Sequence, residues 1–310
     1  MKRFFGILII LFILAVLPKV LGTYYVTLAT QMLISAIFAI SLDLLIGYLD
    51  LPSLGHAAFF GVAAYTIGIL FKNGVNHFWL NFPLGIAVAV AVAALFGLLV
   101  LRTRGAYFFM ITVALAEVLW GIAFSWRFMT GGDDGIPGIS RPSLGFIPFS
   151  LGGATNYYYL VLFFFLVSFL FIYIIVRSPF GHVIVGIREN ELRMRALGYN
   201  TWPYKYICFI LSGLFAGVAG GLSVYFKGFV SPSDLAVTLS AEGLLMVLLG
   251  GAGTLFGPVI GAGCIIFLEH FISAYTERWL LLLGIIYIVV VMFAPQGILG
   301  LIRSRITKAG

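Results

Sequence analysis

Long apolar runs, separated by short polar stretches, limit this chain to a membrane-spanning fold. The cleanest run, residues 156–176, has 21 residues and as an α-helix would extend about 30 Å, the thickness of the hydrocarbon layer. Charged residues make up 9% of the chain, against about 25% in soluble domains. We therefore predict an all-α, polytopic protein of the lipid membrane, with a single transmembrane domain over residues 1–310. About ten spans are predicted, near 4–21, 25–47, 55–71, 82–101, 106–126, 156–176, 204–226, 238–250, 256–272 and 279–295.

The first and the eighth segments each leave a question of interpretation. Lys2 and Arg3 precede the apolar run 4–17 as in a signal peptide, but no small-residue cleavage site follows. We therefore predict an uncleaved first span. The eighth segment has only thirteen residues, so it forms either a span of its own or one broken span together with the ninth.

Two stretches containing glycine and proline, 51–55 and 250–258, interrupt the apolar pattern. Non-helical backbone persists at membrane depth only where protein or a water-filled cavity surrounds it. Both stretches resemble broken helices, and plain cytoplasmic turns are the favoured alternative. Rows of small residues at four-residue intervals predict close helix packing, and they are Gly85, Ala89, Ala93 and Gly97; Ser212, Ala216 and Gly220; and Gly213, Gly217 and Gly221.

The distribution of Lys and Arg predicts the orientation. With the N-terminus inside and alternating spans, twelve basic residues fall inside and six outside, and an excess of this kind marks the cytoplasmic side. We predict an N-in, C-in topology with residues 177–205 in the cytoplasm and 127–155 outside. Joining segments eight and nine would move the basic C-terminus outside, which the same rule disfavours. The net charge of +7 then reflects orientation and gives no evidence of nucleic-acid binding.

The stretch 177–205 carries five basic residues. Pro179 and Gly181 predict a turn, an uninterrupted helix is predicted from 183 to 197, and Gly198 stands at the expected C-cap position. A helix with two apolar stripes suits a place between two protein surfaces, one of them the membrane domain. The alternative is a short surface helix in a solvated loop. The two stripes consist of Val185, Leu192 and Ala196, and of Ile187 and Met194.

Polar side chains inside the apolar segments are the candidates for a transport pathway. An isolated charge there costs ~2.5–3.5 kcal/mol on insertion scales, so such a side chain is expected to face the bundle interior or to be neutral. Glu117 either lines a pathway or relays protons, or it is a neutral carboxyl bonded to a neighbouring helix. The candidate residues are Asp43, His56, Glu117 and Glu242.

The outer loop 127–155 contains a glycine- and aspartate-rich turn. These residue types predict tight turns with exposed backbone N–H groups. Docking of a partner protein is the functional alternative, and its candidate residues are Gly131, Gly132, Asp133, Asp134 and Gly135.

The sequence lacks the common signatures of catalysis and of nucleotide binding. It contains no GxxxxGK[ST], HExxH, GxSxG or CxxC motif. Cys208 and Cys264 both lie in apolar segments, which argues against a disulfide framework or a metal site. We predict a chain that is not an enzyme and that uses no cofactor and no metal.

Six motifs, in order along the chain, resemble the LivM-type permease subunit of branched-chain amino-acid ABC importers. The resemblance covers nearly the whole chain. The motifs are LGHAAFFG at 54–61, LRTRGAY at 101–107, TGGDDG at 130–135, IRENE at 187–191 with RALG at 195–198, LLGGAGT at 248–254 and FAPQG at 293–297.

This resemblance implies an ABC importer permease fold in the cytoplasmic (inner) membrane of a prokaryote. It also implies a second, LivH-type permease, two cytoplasmic ATPase subunits, and an extracytoplasmic binding protein that delivers Leu, Ile or Val. The stretch 187–198 would match the coupling helix that docks on an ATPase. Leu192 stands six residues before Gly198, a departure from the EAA---G pattern of many ABC importers. The coupling residues would be Ile187, Arg188, Glu189, Asn190, Glu191, Arg193, Met194, Arg195 and Gly198.

Within that helix we expect the stripe containing Met194 to pack against the ATPase, with the charged residues around the contact. The same superfamily includes importers of urea and of other amino acids, so the substrate is less constrained than the family. A stand-alone secondary transporter or channel, with Asp43 and Glu117 as ion sites, is the alternative of a different class.

Overall fold

A computed structural model of the chain describes residues 14, 16–103, 105–142, 151–276, 278, 281, 284, 285, 288 and 297. Ten helices with defined bounds lie in this part: α1 Thr23–Leu49, α2 His56–Lys72, α3 Phe78–Val100, α4 Ala106–Ser125, α5 Arg127–Thr130, α6 Ala154–Arg177, α7 Pro179–Ala196, α8 Thr201–Lys227, α9 Val237–Gly250 and α10 Phe256–Ser273. Two short strands, β1 Ile136–Pro137 and β2 Phe229–Val230, and two 3₁₀ turns, Gly132–Asp134 and Pro232–Leu235, complete the described elements.

The second to ninth predicted segments are confirmed as helices, each within a few residues of its expected bounds. Six of the described helices are long and apolar enough to cross a membrane, while α2 and α9 are shorter. The tenth segment, and most of the first, lie outside the described residues. The chain is therefore a multi-pass, all-α membrane protein.

Helices α1 and α8 form the centre of the bundle. In the apolar 18-residue stretch of each of these two helices, 83% and 78% of the residues are buried. The corresponding share in the other long helices is 22–33%. Small residues let neighbouring helices approach α8 closely, since a Cβ on Gly217 would lie 2.9 Å from Ala89 Cβ and one on Gly213 would overlap Ala93 Cβ. The predicted rows of small residues on α3 and α8 therefore pack against each other.

The connection between α1 and α2 turns back into the bundle. Ser53 and His56 are buried, and the His56 ring lies 2.8 Å from the hydroxyl of Ser41. Because Ser41 lies eight residues before the end of α1, about 12 Å at 1.5 Å per residue, the chain has returned along α1 before α2 begins. Residues 50–55 therefore form a re-entrant segment rather than a plain turn, with Ser53 and Gly55 buried and Asp50 and Pro52 exposed.

A second re-entrant segment, which the sequence analysis did not predict, follows α8. β2 pairs with β1 at the end of the bundle opposite 177–205, and the Pro232–Leu235 turn then packs against Gly61 in the middle of the short helix α2. Helix α9 begins from that buried position. Its carbonyl groups near Met246 and Gly250 face Gly261 and Gly257 of α10, so α9 and α10 are separate antiparallel helices and not one broken span.

The close contact between α2 and α8 predicts that Gly220 cannot be replaced by a larger residue without loss of stability. A Cβ on Gly220 would overlap the carbonyl oxygen of Phe60, and overpacking of this kind costs ~1–3 kcal/mol. We expect Gly220→Ala to lower the unfolding midpoint of the purified protein in detergent, as measured by circular dichroism during heating.

The matched control is Gly263→Ala in α10, where an added Cβ meets nothing within 4 Å. Alanine is favoured over glycine in a helix by about 0.8–1.0 kcal/mol, so this variant should unfold at or above the wild-type midpoint. Equal midpoints for wild type and Gly220→Ala would contradict the described contact.

Candidate functional site

Helix α7 begins earlier than the sequence suggested and is interrupted in its middle. Ser178 caps its start by accepting a hydrogen bond from the Gly181 amide at 3.3 Å, with Pro179 in the first turn. Asn190 has non-helical backbone angles of φ −163° and ψ 98°. The prediction of an uninterrupted helix over 183–197 is therefore wrong, because the chain breaks at Asn190 and starts a second short helical piece.

Local hydrogen bonds explain both the break and the end of α7. The Asn190 side-chain oxygen accepts from the Arg193 amide at 2.9 Å, which caps the second piece. At the other end Gly198 has φ +89°, and the amides of Gly198 and Tyr199 donate to the carbonyls of Arg195 and Met194. This pattern is a Schellman motif, which confirms the expected C-cap glycine.

The second piece of α7 is fixed to the start of α8 by ion pairs. One carboxylate oxygen of Glu191 lies 2.6 Å from Arg195 and 2.9 Å from Lys205, and it accepts from the Thr201 hydroxyl at 2.8 Å. Lys205 is buried, so Glu191 supplies the charge that a buried ammonium group needs. Glu191 and Arg195 therefore help to hold the segment against the start of α8.

The exposure of the apolar side chains of α7 shows which of the two predicted stripes faces the membrane domain. Ile187 is 5% exposed, and the Met194 side chain lies against Gly186 and the buried core. Leu192 and, beyond the helix, Leu197 are 70% and 67% exposed. The stripe of Ile187 and Met194 thus faces the membrane domain, which removes Met194 as the expected docking residue.

Arg188 is exposed, but its guanidinium group extends to the end of α1. Its Nη1 atom donates to the carbonyl oxygen of Gly47, near the end of α1. Asp43, one turn earlier in α1, is fully buried, and its Oδ1 atom accepts from the Gly253 amide at 2.8 Å. We call Asp43, Gly47, Arg188 and Gly253 the inner junction. Sequence reasoning selected Asp43 and Arg188 for different roles and missed Gly47.

Glycines make the inner junction possible. A Cβ on Gly47 would overlap both the Asp43 carboxylate and the Gly253 amide nitrogen. Gly251 and Gly253 have φ angles of +110° and +76°, which L side chains rarely adopt. Gly297 of the last motif packs against Gly251. Gly297, the described residue of the FAPQG motif, therefore meets the glycine-rich motif 248–254.

His56 belongs to a buried polar group between α1, α2, α8 and α9. Its Nε2 atom lies 2.8 Å from the Ser41 hydroxyl, and Ser212 donates to the Ser41 carbonyl at 2.6 Å. The amide of Ala57 donates to the Ser240 hydroxyl at 2.8 Å. No described residue bonds to His56 Nδ1. The group fixes the buried start of α2, and no sequence pattern predicted the serine partners.

Glu117 has the opposite environment to Asp43 and His56. It lies in the middle of α4 and is exposed on the surface of this chain, and no described residue forms a hydrogen bond or ion pair with it. The alternative of a carboxyl bonded to a neighbouring helix of the same chain is therefore not found in the described part. The exposed face around it consists of Tyr107, Met110, Ala114, Glu117, Val118 and Ile122.

Glu242 is partly exposed near the start of α9. It lies within electrostatic range of Glu269 on α10 and of Lys227 at the end of α8. Lys227 itself pairs with the buried Asp234 at 2.8 Å. The structure therefore places Glu242 near Glu269 and Lys227, and no described hydrogen bond joins it to Asp43, His56 or Glu117.

The predicted docking turn 131–135 is compact, and its glycine amides are used internally. Gly131, Gly132 and Gly135 all have positive φ, and their amides donate to the Arg127 carbonyl, the Thr130 hydroxyl and the Gly132 carbonyl, respectively. The expectation of exposed amide groups is therefore wrong at these positions. Asp133 and Asp134 are exposed, and the following strand β1 fixes the turn to β2.

Comparison with known proteins gives one consistent result. The family described as "Branched-chain amino acid transport system / permease component" matches residues 24–292. The high-affinity branched-chain amino acid transport system permease protein LivM of Escherichia coli K12 is 30% identical, covering 96% of this chain and 76% of that protein. A probable LivM of Methanocaldococcus jannaschii is 24% identical over 85% of this chain and 89% of that protein.

The LivH permease protein of Escherichia coli K12 is also similar, with 24% identity over 88% of this chain and 92% of that protein. No solved structure matches the chain. The similarity therefore extends to two different permease proteins of the same kind of transport system.

The break at Asn190 predicts a local effect of substitution. Loss of a cap costs ~1 kcal/mol, which corresponds to about fivefold more frequent local opening. We expect Asn190→Ala to speed hydrogen–deuterium exchange of the 193–197 amides about fivefold. Asn190→Asp keeps the acceptor oxygen and should exchange like wild type. Unchanged exchange in Asn190→Ala would show that the cap does not hold the second piece.

Proposed function

Because the chain belongs to the family of branched-chain amino acid transport system permease components, we propose that it is the LivM-type permease subunit of an ABC importer. It moves Leu, Ile or Val across the cytoplasmic membrane of a prokaryote. The observation that carries this proposal is the family match over residues 24–292, on a chain with six helices able to span a membrane among its described residues. The chain is a transport subunit and not itself an enzyme.

The partners follow from the same premise. Similarity to both LivM and LivH permease proteins supports a permease pair, so a related, LivH-type chain is the proposed second subunit. ATP hydrolysis is assigned to two separate ATPase subunits, since the sequence contains no phosphate-binding loop. A binding protein on the outer side delivers the amino acid.

The excess of basic residues supports an orientation with α7 in the cytoplasm, where ATPase subunits would meet it. On that segment Leu192 and Leu197 offer exposed apolar surface, and no described residue forms a side-chain bond with Glu189 or Arg193. A charge pair at the edge of such a contact contributes ~0–1 kcal/mol, whereas a buried apolar anchor contributes ~2 kcal/mol or more. We therefore assign the ATPase contact to Leu192 and Leu197, with Glu189 and Arg193 at its edge.

The test uses the complete complex, purified with both permeases and the ATPases and reconstituted in liposomes with the binding protein. Wild type should accumulate leucine only when ATP is supplied. Leu192→Asp places a charge in the contact and should reduce ATPase co-purification and uptake by about tenfold or more. Arg193→Ala, on the same segment, should change both less than about twofold.

Two results would contradict this proposal. Normal uptake by Leu192→Asp with bound ATPase would remove the assigned contact. Leucine uptake that needs no ATPase subunit and collapses with an uncoupler at constant ATP would support a secondary transporter instead.

The exposed side chain of Glu117 supports an assignment of the surface that contacts the second permease. A charged side chain facing lipid at the centre of a span costs ~2.5–3.5 kcal/mol on insertion scales, so the α4 face needs a cover of protein or water. The exposed residues of α6 are large and apolar by contrast, among them Phe163, Leu170 and Ile174. We assign the lipid contact to α6 and the permease–permease contact, with the transport pathway beside it, to the α4 face.

A pair of tryptophan variants tests that assignment. Ala114 is a small residue beside Glu117 on the exposed face, so Ala114→Trp should separate the helices and reduce co-purification of the second permease about tenfold. Leu170→Trp adds an indole to a face assigned to lipid and should leave assembly unchanged. Loss of assembly in Leu170→Trp but not in Ala114→Trp would reverse the assignment.

The opposite end of the bundle is assigned to the binding protein. Asp133 and Asp134 are exposed on a turn that β1 and β2 hold in place. Lys72 stabilises the preceding segment by donating a hydrogen bond to the Phe128 carbonyl at 2.7 Å. A fixed acidic turn of this kind fits a basic patch on a soluble partner.

A further inference from the structure

Arg188 is an exposed residue on the segment proposed to meet the ATPase, yet its guanidinium group bonds to the membrane domain at the end of α1. We propose that Arg188 is a positioning residue for energy coupling: it fastens α7 to the end of α1 and to the glycine loop 250–255, so that a displacement of α7 moves that loop. The inference rests on the proposed function, because it needs an ATPase subunit that displaces α7.

The first contact is with the end of α1. The last four carbonyl groups of a helix have no partner within it, and Gly47 is one of them. The last turn of α1 contains no basic residue, so Arg188 supplies from another segment both a hydrogen bond to Gly47 and a positive charge at the negative end of the helix dipole. The contact therefore gives α7 a specific attachment to α1.

The second contact is with the glycine loop. A Cβ on Gly253 would lie only 3.1 Å from Arg188 Nη1, while the Gly253 amide is bound by the buried Asp43. The Gly47 backbone is packed so closely against Gly253 that a methyl group would not fit between them. Because protein interiors are densely packed and resist compression, a movement of Arg188 toward Gly253 would displace the loop or α1.

The loop has the properties of a moving part. Gly251 and Gly253 provide backbone angles with positive φ, and the loop joins the short helix α9 to α10. At its other end α9 is bonded through Ser240 to the amide of Ala57 at 2.8 Å, next to the buried His56 and Ser41. A displacement that begins at Arg188 can therefore pass along α9 to the buried polar group between the helices.

The experiment measures uptake per ATP hydrolysed by the reconstituted complex, together with the amount of ATPase that co-purifies. Arg188→Ala should keep ATPase binding and ATP hydrolysis but lower uptake per ATP about tenfold, a typical size for a lost coupling between sites. Arg188→Lys keeps the charge and one donor and should restore part of the coupling. Arg102→Ala is the matched control, since this exposed arginine between α3 and α4 lies outside the contacts assigned above, and it should couple normally.

Asp43→Asn tests the other half of the junction, because the amide oxygen can still accept from Gly253 while the carboxylate charge is lost. It should also lower uptake per ATP. The double variant with Arg188→Ala should be no worse than the poorer single variant if both act through one junction.

Three results would overturn the inference, and they differ from one another. Release of the ATPase by Arg188→Ala would place Arg188 in the docking contact. Normal uptake per ATP would show that the contact transmits nothing, and failure of both Arg188→Ala and Arg188→Lys to assemble would make its role purely structural. Absence of ATPase from the wild-type complex would instead refute the proposed function itself.

Discussion

The whole structure depends on one constraint, that backbone N–H and C=O groups in a membrane must find partners within the protein. Within a helix, backbone N–H and C=O groups bond to each other. Residues 50–55 and the segment between α8 and α9 are not helical throughout, so their backbone groups need partners elsewhere in the protein. Both are buried against other parts of the chain, through Gly55 beside the Thr112 carbonyl and through Gly61 beside the Pro232–Leu235 turn. The non-helical segments are therefore stable only because neighbouring helices approach them closely.

The same constraint explains where the polar side chains lie. Asp43 bonds to a loop amide, Arg188 to a carbonyl at the end of α1, and Ser240 to the first turn of α2. Arg188 and Ser240 complete backbone hydrogen bonding at helix ends, and Asp43 does so in the loop between α9 and α10. A side chain that satisfies a helix end also fixes the relative position of two elements, which is the property that a coupling contact needs.

The outer surface of the bundle is not uniform. Along α6 the exposed side chains are apolar, as expected of a surface that meets hydrocarbon, whereas α4 exposes Glu117 in the middle of its apolar length. This difference distinguishes a face suited to lipid from one that needs another covering. A permease that works as one half of a pair has both kinds of surface, and similarity to both LivM and LivH proteins agrees with a pair.

The sequence by itself determined the class of fold, the positions of eight helices, the cap at Gly198 and the family, because apolar length, glycine position and ordered motifs are local properties of the chain. It did not determine the break at Asn190, since the competing hydrogen bond to the Arg193 amide has no periodic signature. It also misplaced Met194, because two stripes on one helix do not show which of them meets the membrane domain.

Only the tertiary structure decided which distant residues meet. The helix turn with Asp43 and Gly47 is far in the chain from Arg188 and from Gly253. Each of the four residues was ambiguous alone: a buried carboxyl, a helix glycine, a surface arginine and a loop glycine. Their meeting depends on the packing of α1, α7 and the loop between α9 and α10. That packing is set by three-dimensional fit between surfaces, which a single sequence does not record.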